Sequence, residues 1–276
     1  MRIELERVCA RHPAARPGAP PALRDIDLDL AHGGHLAVIG PSGAGKTTLL
    51  QVAACALAPA SGTLRLGGVE PWRLSRRALQ RLRGGLFLAP QVPPLPPRQR
   101  AVTAVLAGRL PAMGLLASLR SLVYPLDIPA AHDALDRFDL ADKLFERVDR
   151  VSGGERQRIG LARALLAPAS LWLVDEPLSA LDPTRAREAL SVLVETARER
   201  GVTLLVSLHD VEAALANFPR IVGLREGRVA FDVPAAEVTK ERLERLYAGA
   251  ERELHGPAPV AMEPPAAPAP AIVQCR

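Results

Sequence analysis

Apolar and polar positions alternate in two early stretches of the chain. Residues 2–9 alternate as a strand, and Leu23–Leu30 (LRDIDLDL) alternates strictly from Asp25 on, the pattern of a half-exposed antiparallel strand. Between them, His12 to Ala22 is a Pro/Gly/Ala loop. His35-Leu36-Ala37-Val38-Ile39 is apolar almost throughout and predicts a buried strand, and a helical pattern follows from Thr47 to Ala54. Ser61-Gly62 and Gly67-Gly68 bracket a short strand, and Gly84-Gly85 precedes the strand Leu86-Phe87-Leu88. The rhythm then breaks. Residues 92–101 are dominated by Pro and Arg, and 102–150 read as several short helical pieces without βαβ alternation, which predicts a helical subdomain inserted over about 92–160. From Glu155 the alternation returns: helix 155–166, strand Leu171–Val174, helix 184–199, strand Thr203–Ser207, helix 210–217 and strands near 221–224 and 228–231. The pattern predicts an α/β fold over 1–250, with a doubly wound core sheet and an antiparallel β portion at the N-terminus. Residues 251–276, rich in Pro and Ala from 256 on, have little to bury and predict a disordered tail.

Composition narrows the class. An apolar fraction of 48% and a charged fraction of 24% are those of a soluble globular protein, and with aromatics at 3% the interior falls to Leu, Val and Ala. Cys9, Cys55 and Cys275 stand far apart, which argues against a disulfide framework or zinc site and fits a reducing compartment. No apolar run approaches the ~18–20 residues a bilayer span needs; Gly114 to Leu126 is interrupted by Arg120 and Pro125. Met1 to Glu6 lacks the apolar core of a signal peptide. The expectation is a cytosolic protein, at a membrane only where a partner holds it. A net charge of +5 raises nucleic acid as a partner. However, arginines spread along the chain with acids usually nearby, as from Glu241 to Arg245, and no zinc-finger, RRM or helix-turn-helix signature is present. A solvated basic surface is the reading, with no nucleic acid.

The chemistry is concentrated in a few segments. Gly40-Pro41-Ser42-Gly43-Ala44-Gly45-Lys46-Thr47 fits G-x-x-x-x-G-K-[ST], a loop whose backbone N–H groups cradle nucleotide phosphates. It lies between a predicted strand and a helix opening Thr47-Thr48, whose dipole favours phosphate charge. Lys46 supplies a point charge for the β/γ-phosphates, and the Thr47 hydroxyl is placed to ligand Mg²⁺. Leu171–Val174 ends in Asp175-Glu176. An acid at that strand end lies beside the phosphate loop in a doubly wound sheet, where Asp175 can hold Mg²⁺ through water and Glu176 can polarise an attacking water. Acids also follow strands simply as helix caps, so this signal takes its meaning from the loop upstream. Ser152-Gly153-Gly154-Glu155 is a capping box, and its glycines also leave helix N–H groups open to an anion; the two readings are compatible.

With Gln91 after a strand, Ser179-Ala180-Leu181-Asp182, and His209 after a later strand, this ordered set resembles the ATPase subunit of ABC transporters over about residues 1–250. The resemblance implies a P-loop NTPase fold and ATP with Mg²⁺ as cofactors. It implies two copies packed head to tail, with ATP between the Lys46 loop of one and Ser152-Gly153-Gly154 of the other. Gln91 would sense the γ-phosphate and Mg²⁺ and pass closure to a membrane permease. His209 would contact the γ-phosphate, and Asp182 would communicate across the dimer. Three departures stand out. His12 occupies the place of the usual adenine-stacking aromatic, Val151 that of Leu, and Glu155 that of the commoner Gln.

Val105–Leu110, Leu119–Leu122, Val206–Val211, Ile221–Arg228 and Leu246-Tyr247 are similar to phosphonate-import ATPase subunits. That likeness implies import of phosphonate or a related phosphorus oxyanion, with a permease and an extracytoplasmic solute-binding protein, at the cytoplasmic face of the inner membrane. Another small nutrient remains open, because the solute would never touch this polypeptide. A soluble ABC ATPase acting on nucleic acid or ribosomes would carry two cassettes or a coiled-coil insertion. A GTPase would show N-K-x-D. None of these features is present.

Overall fold

A computed structural model describes residues 1–12, 18 and 20–250; the tail predicted at 251–276 lies outside them, as do positions 13–17 and 19 of the first loop. The centre is a six-stranded sheet of β3 (His35–Ile39), β5 (Leu86–Ala89), β6 (Leu171–Asp175), β7 (Thr203–Ser207), β8 (Arg220–Arg225) and β9 (Arg228–Pro234), in the order β5-β6-β7-β3-β8-β9. All neighbours are parallel except the last pair, β8 and β9. Period-2 alternation sorts each strand between two cores. Ala37, Ile39, Trp172, Val174, Leu204, Val206 and Ile221 face one core; Leu36, Val38, Leu171, Leu173, Leu205, Val222 and Leu224 face the other. Both faces are covered, which is why β3, β6 and β7 read as unbroken apolar runs.

The second core is closed by α1 (Lys46–Ala53) and a three-stranded antiparallel sheet, β2-β1-β4, of β1 (Ile3–Ala10), β2 (Leu23–Leu30) and β4 (Ser61–Leu66). In β2, Ile26, Leu28 and Leu30 point inward while Asp25, Asp27 and Asp29 face solvent, as the alternation predicts. The first core is filled from α3 (Ala101–Leu106), α5 (Ile128–Asp136), α6 (Gly153–Leu166), α7 (Pro183–Glu199) and α8 (Val211–Asn217). A further helix, α4 (Leu115–Val123), joins α3 to α5, and α9 (Lys240–Leu246) packs near β8.

Two helices begin earlier than their periodicity indicates, because caps set the starts. Ser152 caps α6 at Gly153, and the Asp182 carboxylate accepts from the Thr184 and Arg185 N–H groups to start α7 at Pro183. One helix carries no sequence prediction: α2 (Arg76–Gly84), capped by Ser75, is short, and its Leu79 and Leu82 are only partly buried against the second core. Among the described residues, no helix is long and apolar enough to cross a membrane.

Candidate functional site

The carboxyl ends of β6, β7 and β3 lie side by side in the sheet, and three separate segments deliver polar groups there. From β3 the chain turns through Gly40–Gly45 into α1. Gly45 has φ +106°, and a Cβ on it would stand 2.5 Å from the Ala22 carbonyl, so the loop requires glycine there. Lys46 is buried at 4% exposure. Its Nζ donates to the carbonyls of Gly40 (2.8 Å) and Pro41 (3.4 Å) and lies 3.7 Å from Glu176 Oε1. The ammonium therefore folds back over the loop that precedes it.

From β6 come Asp175 and Glu176. Asp175 accepts a hydrogen bond from Ser207 Oγ at 2.5 Å and is hydrogen bonded to the Thr47 side chain. Burial dominates those bonds and pushes its carboxyl above the ordinary carboxylate range. Glu176 takes a left-handed backbone, φ +46°, and its N–H donates to the Ser207 carbonyl (3.2 Å) and hydroxyl (3.0 Å). His209 Nε2 stands 2.6 Å from Glu176 Oε1. Burial raises the Glu176 carboxyl, but the hydrogen bond and charge of His209, together with Lys46, outweigh it and hold the group below its ordinary value. His209 follows β7, and the next residue, Asp210, caps α8.

Lys46, Glu176 and His209 line one cavity of about 440 Å³, and Asp175 is not among its lining residues. The rest of its lining is Ser42, Gly43, Ala44, Gly45, Thr47 and Thr48 of the loop and helix start, with Gln91, His12 and Ala22. Gly40 and Pro41 supply carbonyls to Lys46 behind it. The arrangement can gather phosphate charge on loop N–H groups and Lys46, and it sets an ionised carboxylate against an imidazole.

Ser152, Gly153, Gly154, Glu155 and Asp182 do not line that cavity. Ser152 Oγ accepts from the Glu155 N–H (3.2 Å), and Glu155 Oε2 accepts from the Ser152 N–H (2.7 Å), completing the capping box. The bond from the Ser152 N–H holds the Glu155 carboxyl below its usual range. Gly154 lies against Ala180 and Leu181, where a Cβ would stand 3.0 Å from the Ala180 carbonyl. The two segments thus meet at Gly154, Ala180 and Leu181, outside the lining of the Lys46 cavity. One site residue escaped sequence reasoning. Ser207 bonds both Asp175 and Glu176, and its only signal is a hydroxyl ending an apolar strand.

Comparison with known proteins agrees with this geometry. A family model described as ABC transporter matches residues 23–179. The phosphonates import ATP-binding protein PhnC of Polaromonas sp. is 64% identical over 277 residues, covering 100% of both chains. PhnC 2 of Albidiferax ferrireducens is 63% identical with the same coverage. Among solved structures, the dimeric ATP-binding cassette MJ0796 bound to ADP and Pi superimposes with a TM-score of 0.72 at 25% identity, over 84% of this chain and 98% of that one. A Gly-rich loop after β3 and paired acids ending β6, in a chain of this likeness, make it a member of the ABC transporter family: an ATP-binding, ATP-hydrolysing subunit.

Proposed function

We propose that this subunit powers import of phosphonate or a related phosphorus oxyanion through a separate membrane permease, fed by an extracytoplasmic solute-binding protein. The observation that carries the reading is full-length likeness, at 64% and 63% identity, to phosphonates import ATP-binding proteins. The subunit acts as a homodimer, held peripherally at the cytoplasmic face of the inner membrane, with 1–250 as the ATPase domain and the helical subdomain over about 92–160.

In this reading the Gly40–Thr48 segment and Lys46 bind the ATP phosphates, and His12 packs on the adenine. Ser152, Gly153, Gly154 and Glu155 of a second copy close the pocket, and Asp182, beside them, links the two sites. The oxygens of Thr47 and Asp175 fit a hard divalent cation. Mg²⁺ is such an ion, and it keeps water and phosphate oxygens among its ligands. Thr47, Asp175 and Gln91 would hold it, and when bound it neutralises phosphate charge. Glu176 accepts the proton of the attacking water, His209 steadies that carboxylate and meets the γ-phosphate, and Gln91 carries pocket closure toward the permease. Most of the rate enhancement is placement and electrostatics.

The test is import in cells. A bacterium lacking its phosphonate-import ATPase gene but keeping the permease and binding-protein genes should regain growth on methylphosphonate as sole phosphorus source when this chain is supplied. Growth restored on phosphate esters but not on phosphonate would overturn the assigned solute class.

A further inference from the structure

Every side chain of β3, β6 and β7 is buried, and most are apolar. The polar exceptions lie at strand ends. His35 and Thr203 open β3 and β7, whereas Asp175 and Ser207 close β6 and β7 beside the candidate site. Ser207 has no exposed surface. Its neighbours Val206 and Leu208 face the first core, so alternation turns Ser207 to the opposite side of the sheet, the side covered by α1. On that side the strands otherwise set Leu36, Val38, Leu173 and Leu205 into the second core. A hydroxyl buried among such residues costs free energy unless its bonds are made.

The bonds it makes all go to the two acids. The Ser207 hydroxyl donates to Asp175 Oδ1 at 2.5 Å and accepts from the Glu176 N–H at 3.0 Å, and the Ser207 carbonyl accepts from that same N–H at 3.2 Å. Asp175 stands directly opposite Ser207 in the parallel register of β6 and β7, which is why one side chain can reach both acids. The shared N–H belongs to the residue with the left-handed backbone, φ +46°, a conformation that side-chain-bearing residues rarely adopt. That backbone sets the direction in which the Glu176 side chain leaves the strand, toward His209 Nε2 at 2.6 Å and Lys46 Nζ at 3.7 Å. Ser207 itself does not line the cavity that these groups share.

We propose that Ser207 is a positioning residue for ATP hydrolysis. Its hydroxyl ties the Asp175 carboxyl and the Glu176 backbone into one unit and so aims the Glu176 carboxylate, without touching the nucleotide. The role needs a group that donates and accepts at once, which a serine or threonine hydroxyl does and an alkyl group does not. Because Ser207 acts behind the cavity wall, its loss should slow the chemical step and leave nucleotide binding alone. The inference rests on the proposed role of Glu176 as base and is independent of the transported solute.

The experiment compares Ser207→Ala, Ser207→Val and Ser207→Thr in the full-length chain, by steady-state ATP hydrolysis and by calorimetric titration with ATP. Ser207→Ala and Ser207→Val should each lower kcat by about 10–100-fold, as loss of a supporting hydrogen bond behind a reactive group typically does. KM and the calorimetric Kd should stay within about twofold, the pattern of an interaction that matters only in the transition state. Ser207→Thr should keep kcat within about threefold of wild type, since the hydroxyl is retained. Valine and threonine are nearly equal in volume, so their ratio reads the hydroxyl even where both variants lose stability. Equal losses in Ser207→Val and Ser207→Thr, an unchanged kcat in Ser207→Ala, or a loss confined to KM and Kd would each overturn the proposal. Glu176→Gln, assayed in parallel, separates this inference from the reading beneath it. Wild-type hydrolysis by Glu176→Gln would remove the base assignment and the proposal together, whereas an inactive Glu176→Gln beside a fully active Ser207→Ala would remove the positioning role alone.

Discussion

Burial and hydrogen bonding act in opposite directions on the two acids that end β6. For Asp175 burial wins and the carboxyl rises; for Glu176 the pull of His209 and Lys46 wins and the carboxyl falls. A residue that accepts a proton from water has to remain ionised, and of the two the surroundings of Glu176 suit the proposed role of base. Glu176→Gln should therefore cut ATP hydrolysis by about 10²–10⁴-fold while leaving ATP affinity nearly intact, measured by phosphate release and by calorimetry. The phosphate loop and the Asp-Glu pair were legible in the sequence because their spacing is local. Ser207 was not, since its two bonds cross from β7 to β6 and one hydroxyl in a strand has no spacing to recognise.

At the scale of elements, caps mark helix starts more sharply than periodicity does. The capping box of α6 makes a testable pH statement. The folded Glu155 carboxyl lies below its usual value, so its contribution is fully present above the unfolded pKa, near ~4.3, and is lost as pH falls through the folded value. Glu155→Gln keeps an acceptor but cannot titrate. Urea midpoints of wild type and Glu155→Gln should differ above that pH and converge in acid; parallel curves throughout would deny the box its electrostatic share. The strands were legible because both faces of the central sheet are covered, which turns β3, β6 and β7 into apolar runs. The two surface helices were the blind spots. α2 sets only Leu79 and Leu82 against the second core, too few to announce it among four arginines. α4 has a stripe, but one that faces outward, and a sequence does not say which side of an amphipathic helix is inside.

For the molecule as a whole, the separation of Ser152–Glu155 from Lys46 is the central fact. If each pocket joins one copy's phosphate loop to the other copy's α6 end, defects in the two halves should complement. Lys46→Ala and Gly153→Asp, each inactive alone, should regain hydrolysis when mixed, because one of the two pockets in the mixed dimer is then wholly wild type. A mixture as inactive as its components would contradict head-to-tail pairing. The strand order carries another consequence, for synthesis on the ribosome. β3, which bears the phosphate loop, pairs with β7 and β8 alone, and neither exists until residue 203 has been made. A nascent chain thus carries its finished nucleotide-binding motif through most of translation with no strand yet paired to β3. Chains released before residue 203 should therefore bind ATP more weakly than the full chain, and they leave the edge of β3 unpaired.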